Sequence, residues 1–218
     1  FSQQLPAHQR LNFSYSRRIN RPSINDLAPF TVFWDPSTLV TGNPALQPSI
    51  SKTTEISYLV KNLMFKASYT HVAHAFSSFQ QVDATTGKEV ITVGNTRYMR
   101  YLTLTASVPV TITPWWSMQN TFTSDLEWVA TDYNGVPLSR RGVDLNFNGS
   151  EDFTLPHDYS IELNGFYYSP GLDGVTRYSS YGMLSVGGTK KFKDKSSIGL
   201  SVASLLGSLS YWEKSRLE

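Results

Sequence analysis

The chain has 218 residues, of which 40% are hydrophobic, 13% aromatic and only 17% charged. A formal net charge of +2, with lysines and arginines scattered along the chain, argues against a nucleic-acid partner, and the absence of cysteine excludes disulfides and thiolate metal sites. No apolar run approaches the roughly 20 residues that a membrane helix requires, whereas the shorter strands of a β-barrel are compatible with this composition.

Alternation of apolar and polar residues with a period of two is the dominant pattern along the chain. It predicts about nine strands and no amphipathic helix longer than two turns. In chain order the alternating segments are residues 10–17, 52–61, 63–70, 98–110, 116–128, 143–148, 159–167, 184–186 and 198–202. Several of them are longer than the five or six residues that are usual for a soluble β-sandwich.

The connections between these segments alternate in length. Long connections are predicted at residues 18–51, 80–96 and 168–178, with a moderately long one near 132–135; short ones are predicted at 61–62, 113–114, 151–157 and 191–195. Long loops at one end and tight turns at the other are typical of an outer-membrane barrel, with the long loops outside the cell. The pattern therefore predicts an all-β fold: an antiparallel, up-and-down transmembrane β-barrel segment whose loop 18–51 is extracellular.

The two faces of such strands have different environments. In a bilayer the apolar face contacts lipid and the polar face lines a water-filled lumen. Carboxylates on the polar faces are expected to be solvated there: Asp125, Glu127, Asp144 and Glu162. Aromatic residues near strand ends are expected to form girdles at the membrane boundaries: Trp115, Trp116, Trp128, Tyr159, Tyr167 and Tyr168. Arg100 and His71 fall on apolar faces near a loop, a position where they can reach the headgroups.

No catalytic or metal-binding constellation is evident in the sequence. His71 and His74 are three residues apart and point to opposite sides of a strand, and the glycine-rich segments lack the strand-to-helix context of phosphate loops. We therefore expect no enzyme activity, no metal and no cofactor. The aromatic cluster Phe30, Phe33 and Trp34 lies in the long loop, where it either packs against a neighbouring loop or contacts a ligand.

Residues 14–58 contain a series of motifs: YSRRINRP at Tyr15–Pro22, LAPF at Leu27–Phe30, GNPALQP at Gly42–Pro48 and a strand that opens near Glu55. In these motifs and their order the segment resembles the barrel of TonB-dependent receptors of the Bacteroidetes type. Proline cannot donate to a strand ladder, which fits a segment that has left the sheet.

The resemblance implies uptake of a scarce nutrient, such as a metal chelate, a glycan or a peptide. It also implies partners: outer-membrane lipid, an N-terminal plug, the rest of a barrel of about 22 strands, and a periplasmic TonB-type energy coupler. We expect residues 1–218 to be a single partial barrel domain that lacks the plug and does not transport alone. The alternatives are a structural or adhesive outer-membrane barrel, a soluble β-sandwich binding module and, with least support, a barrel enzyme.

Overall fold

The computed structural model describes residues 1–6, 9–83, 86–133, 136–205 and 213–214. Most of them lie in strands, as the alternation predicts. The strands are β1 (Ser2–Leu5), β2 (Gln9–Asn20), β3 (Thr31–Asp35), β4 (Thr38–Thr41), β5 (Ser49–Val60), β6 (Leu63–Ala73), β7 (Phe76–Val82), β8 (Glu89–Asn95), β9 (Tyr98–Thr113), β10 (Trp116–Tyr133), β11 (Val136–Leu155), β12 (Tyr159–Tyr168), β13 (Gly171–Asp173), β14 (Thr176–Tyr178), β15 (Tyr181–Lys191), β16 (Ser197–Val202) and β17 (Glu213–Lys214). A single turn of helix, α1 (Ile24–Leu27), lies between β2 and β3. No helix among the described residues is long and apolar enough to cross a membrane.

Ten strands form one antiparallel sheet in the order β1-β2-β5-β6-β9-β10-β11-β12-β15-β16. The predicted all-β, up-and-down arrangement is confirmed. The sheet has ten strands rather than about nine because the N-terminal residues 2–5 pair with the start of β2. Among the described residues no pairing joins β1 to β16, so the sheet is open.

The connections are sorted by length between the two ends of the sheet. Residues 61–62, 114–115, 156–158 and 192–196 form turns at the short-turn end, whereas residues 21–48, 74–97 and 169–180 connect strands at the long-loop end. The first long connection is shorter than the predicted 18–51, because β2 and β5 stay paired as far as Asn20 and Ser49. A moderately long loop was predicted near 132–135. Residues 134 and 135 lie outside the described residues, but Asp132 and Tyr133 belong to β10, which remains paired with β11 up to Tyr133 and Val136.

One face of the ten-stranded sheet, the apolar face, is uncovered in the described part of the chain. Large side chains on it are about half exposed, including Phe122 at 52% and Leu145 at 58%. A soluble β-sandwich would bury this face against a second sheet. Here the two smaller sheets pack against the opposite, polar face, so the sandwich alternative is wrong.

The opposite, polar face is covered at the long-loop end by two smaller sheets. One has the order β3-β4-β8-β7 and the other β13-β14-β17. Segment 76–95 forms a hairpin, as β7 and β8. A cluster of buried apolar residues joins these hairpins to the sheet: Ala75, Phe79, Met99, Val129 and Val175. The described core of the protein therefore lies on the polar face at the long-loop end of the sheet, under its loops.

Candidate functional site

A pocket of about 360 Å³ opens on the polar face beneath the β13–β14 hairpin. Carboxylates and tyrosines dominate its lining: Tyr101, Asp125, Glu127, Asp144, Asn146, Tyr168, Leu172, Asp173, Tyr178 and Tyr181. The predicted shared face of Asp125 and Glu127 is confirmed, since both reach this pocket from alternate positions of β10. The adjacent strands β9 and β11 supply Tyr101, which lies opposite Glu127, and Asp144, which lies opposite Asp125.

The hairpin approaches the sheet closely because glycines leave space for it. Gly142 lies opposite Glu127 in the β10–β11 ladder, and a Cβ on Gly142 would lie 2.7 Å from the Leu172 side chain. Gly174, at the tip of the hairpin, has a φ of +60°, a conformation that glycine adopts without steric cost. Leu172 is therefore buried against the polar face, and the hairpin closes one side of the pocket.

Two of the carboxylates are buried, which overturns the prediction that they are solvated. Glu127 is 4% exposed and Asp144 is 6% exposed. The Gly174 N–H donates a hydrogen bond to Glu127, and the Asn146 amide donates to Asp144 over 3.1 Å. Glu127 Oε1, however, has no hydrogen-bond partner among the described residues. Strand alternation placed these groups on the correct face, but the covering hairpin, which is distant in sequence, decides their solvation.

The tyrosines of the pocket include one that the sequence assigned to the wrong environment. Tyr168 was expected in a girdle at the membrane boundary. It lies on the polar face instead, stacked on Tyr181 with ring centroids 4.8 Å apart and an interplanar angle of 6°. The reason is the period of two: Tyr167 points to the apolar face, so Tyr168, its immediate neighbour on β12, points inward.

The aromatic cluster of the long loop lies apart from this pocket. Phe30, Phe33 and Trp34 are 68%, 66% and 80% exposed, and the Lys88 ammonium lies 5.3 Å from the centroid of the Phe33 ring. Phe33 and Trp34 belong to β3, at the edge of the four-stranded loop sheet. Their exposure leaves them accessible from solvent, and their contact with a ligand stays a prediction.

The GNPALQP segment holds this aromatic hairpin in place. A Cβ on Gly42 would lie 2.4 Å from the Ala28 carbonyl oxygen, so only glycine fits there. The Asn43 amide donates to the Val93 carbonyl over 3.1 Å. Asn95 both donates to the Gln47 carbonyl and accepts from the Gln47 N–H. These contacts join loop 21–48 to loop 74–97, so the motif has a structural role that its sequence did not reveal.

The described residues contain no group of three or more His, Cys, Asp or Glu side chains able to hold a metal ion. His71 lies on the apolar face of β6, whereas His74 follows the end of that strand with a φ of +54°. The prediction placed both histidines on one strand, whereas His74 lies beyond the end of β6. The pocket offers carboxylates, phenols and amides, which are groups that bind ligands by hydrogen bonds and charge.

A family model described as "Outer membrane protein beta-barrel family" matches residues 1–217. No match was found among curated proteins. Among solved structures, the siderophore receptor PirA from Pseudomonas aeruginosa is similar, with a TM-score of 0.64 and 16% identity over 94% of this chain and 37% of that chain. A mutant of the ferric enterobactin receptor PfeA from Pseudomonas aeruginosa, in complex with enterobactin, has a TM-score of 0.59 and 16% identity over 94% and 34%. The chain thus spans little more than a third of these receptors, and at this identity the likeness is one of fold.

Proposed function

The chain belongs to the outer membrane protein beta-barrel family, which places it in the bacterial outer membrane, and on this premise we propose that it forms part of the barrel of a TonB-dependent receptor. The nutrient that such a receptor takes up is a metal chelate, a glycan or a peptide. The part described here does not transport alone. The plug and the remaining strands supply the rest of the receptor, and a periplasmic TonB-type coupler supplies energy through it.

One observation carries this proposal: the chain, whose ten-stranded sheet is open, superposes over 94% of its own length on about a third of two siderophore receptors. An open edge on a long sheet exposes unpaired backbone groups, which is costly in lipid and is relieved when further strands close the barrel. In a closed barrel of this family, further strands would pair with both edge strands, β1 and β16.

The long-loop end is the extracellular end in this proposal, following the usual asymmetry of outer-membrane barrels. The β3–β4 hairpin then presents Phe30, Phe33 and Trp34 to the outside. Exposed aromatic rings can stack on a flat or apolar ligand, and such side chains are enriched at binding hot spots. We propose that these three residues make the first contact with the nutrient before it passes toward the acidic pocket.

The test uses the complete natural protein, purified from outer membranes in detergent, with ferric enterobactin as the first probe and a panel of other ferric chelates, oligosaccharides and peptides after it. Binding is measured by quenching of tryptophan fluorescence and by isothermal titration. The triple substitution Phe30→Ala, Phe33→Ala, Trp34→Ala is expected to weaken binding of the cognate probe at least tenfold.

The matched control replaces Ile24 and Val32 by alanine, because these side chains are 85% and 58% exposed in the same loop but are not aromatic. Uptake of the bound probe is then compared in cells with and without the energy coupler. Binding that depends on the aromatic residues together with coupler-dependent uptake supports the proposal. No binding across the panel, with adhesion of cells to a surface lost in the triple variant, would favour the structural or adhesive barrel instead.

A further inference from the structure

The apolar face carries a row of basic and aromatic residues at the long-loop end, here called the cationic row. It consists of one residue from each of six adjacent strands: Arg17, Lys52, His71, Arg100, Trp128 and Arg141. Each residue is the direct register partner of the next, from β2 to β11. Five steps between strands at about 4.8 Å make the row roughly 24 Å long.

The cations of the row are directed outward, and two of them, Arg100 and Arg141, stack on aromatic rings. Arg17, Lys52, Arg100 and Arg141 are all exposed. The Arg100 guanidinium lies 4.2 Å from the centroid of the Tyr98 ring, and the Arg141 guanidinium lies 5.5 Å from that of Trp128. Stacking on a ring orients an arginine while leaving its N–H donors free for a planar, charged partner.

His71 is part of the same arrangement. The Arg100 Nε–H donates to His71 Nδ1 over 3.4 Å, so His71 accepts this bond as a neutral imidazole. This hydrogen bond fixes the position of the Arg100 side chain, and the neutral His71 adds no fifth positive charge to the row. The row therefore presents four permanent positive charges on one surface.

These charges are not neutralised by neighbouring carboxylates in the described strands. Glu55, Asp125 and Asp144 come from the same strands but point to the polar face, as their register shows. Asp132 is the acidic residue of the apolar face at this end, and it forms an ion pair with Arg97 at 3.1 Å. Four uncompensated cations in a row repel one another, and a bound anion would relieve that repulsion.

The tyrosines of the apolar face indicate where the row lies relative to the membrane boundary. On β2 and β6, Tyr15 and Tyr69 lie two residues nearer the short turns than Arg17 and His71. On β11, the partner of Tyr167 is Phe147, which lies six residues nearer the short turns than Arg141. Tyrosines mark the membrane boundary in barrels, and strands tilt by about 35–45°. The row therefore begins at the boundary on β2 and rises from it toward β11, through the layer that lipid headgroups occupy.

We propose that the cationic row binds the phosphate groups of phosphorylated lipids in the outer leaflet of the membrane. The proposal rests on the orientation proposed above, with the long loops outside, and it does not depend on which nutrient the protein takes up. Guanidinium groups bind phosphate oxygens bidentately, and a row of this length contacts more than one headgroup. Each basic residue close to an anionic lipid surface strengthens the binding of the protein to that surface about fivefold.

The test measures binding of diphosphorylated lipid A to the complete natural protein in neutral detergent, by native mass spectrometry and by phosphate analysis of the washed protein. The variant Arg17→Gln, Lys52→Gln, Arg100→Gln, Arg141→Gln is expected to bind this lipid at least tenfold more weakly and to lose most of the salt dependence of binding. Replacing the three arginines by lysine is expected to keep much of the affinity, because the charges remain.

The matched control also removes four positive charges, through glutamine at Arg10, Arg18, Lys193 and Lys195, which lie on the polar face or in the turn 192–196. Circular dichroism and heat-modifiable migration verify that both variants fold. Equal lipid binding by the row variant and the control would overturn the proposal. So would binding that is unchanged when the lipid is dephosphorylated. Nutrient binding is measured in parallel, so that failure of the receptor proposal is seen separately.

Discussion

The short-turn half and the long-loop half of the sheet are built from the same alternating strands but are stabilised differently. Toward the short turns the sheet is a single layer, and both of its faces are at least partly exposed. Toward the long loops it becomes two layers: every buried apolar side chain of the described residues lies there or in the loops. The comparison indicates that strand pairing and lipid stabilise the first half, whereas side-chain packing of loops against the polar face adds to the second.

Met99→Ala is expected to have the largest effect and to act on the long-loop half alone. Met99 is 4% exposed and contacts the cluster that joins the hairpins to the sheet. Large-to-small substitutions at such sites lower the free energy of unfolding by roughly 2–5 kcal/mol. Hydrogen exchange and limited proteolysis should show faster opening of segments 76–95 and 171–178. Equal acceleration in the turns at 61–62 and 114–115 would contradict the two-layer description.

Leu104→Arg tests the opposite region, since Leu104 is 46% exposed on the apolar face near the middle of β9. A basic residue on the lipid face lowers the free energy of unfolding in bilayers by roughly 2–4 kcal/mol at the midplane. Thr123→Arg, on the polar face of β10, is the control and should change that free energy by much less. Urea unfolding in lipid vesicles measures both; equal losses would mean that the faces are assigned wrongly.

Glu127→Gln is expected to have a smaller, stabilising effect on the hairpin that covers the pocket. The amide oxygen keeps the acceptor for the Gly174 N–H, while the substitution removes an ionisable group whose charged form is disfavoured by burial and by the nearby Asp125, Asp144 and Asp173. We expect about 1 kcal/mol of added local stability, read from slower hydrogen exchange at residues 172–176. Glu127→Ala serves as the comparison, because it also removes the acceptor. Faster exchange in the glutamine variant would contradict the interpretation.

Ser23→Ala should have the smallest effect, confined to the long loop. Ser23 caps α1, accepting from the Asp26 N–H and donating through both its hydroxyl and its backbone N–H to the Asp26 carboxylate. These bonds hold the pKa of Asp26 below its ordinary value. Their contribution is therefore present above that ordinary value and is lost as the pH falls through the lowered pKa. Loss of a cap costs about 0.5–1 kcal/mol, measurable as faster exchange at the Asp26 amide.

Local pattern was enough to predict much of this protein. The class of fold, the face of each strand and the alternation of long and short connections depend on a period of two and on turn residues, and these act between neighbours in sequence. The outward position of Arg100 and His71 on the apolar face also followed from that period. So did the shared face of Asp125 and Glu127.

The errors about burial arose from contacts between segments that are distant in sequence. Glu127 and Asp144 were expected to be solvated but are buried, because a hairpin some thirty to fifty residues later folds over them. Tyr168 was assigned to a girdle although its own alternation with Tyr167 places it inside.

The sequence by itself determined that this protein is a barrel of long strands with one lipid-compatible face, because backbone pairing in lipid leaves an alternating chain few other arrangements. Only the tertiary structure decided which loops cover the lumen and how residues from six strands line up. The cationic row shows why: its successive members lie between 13 and 35 residues apart in sequence, and strand register alone brings them together.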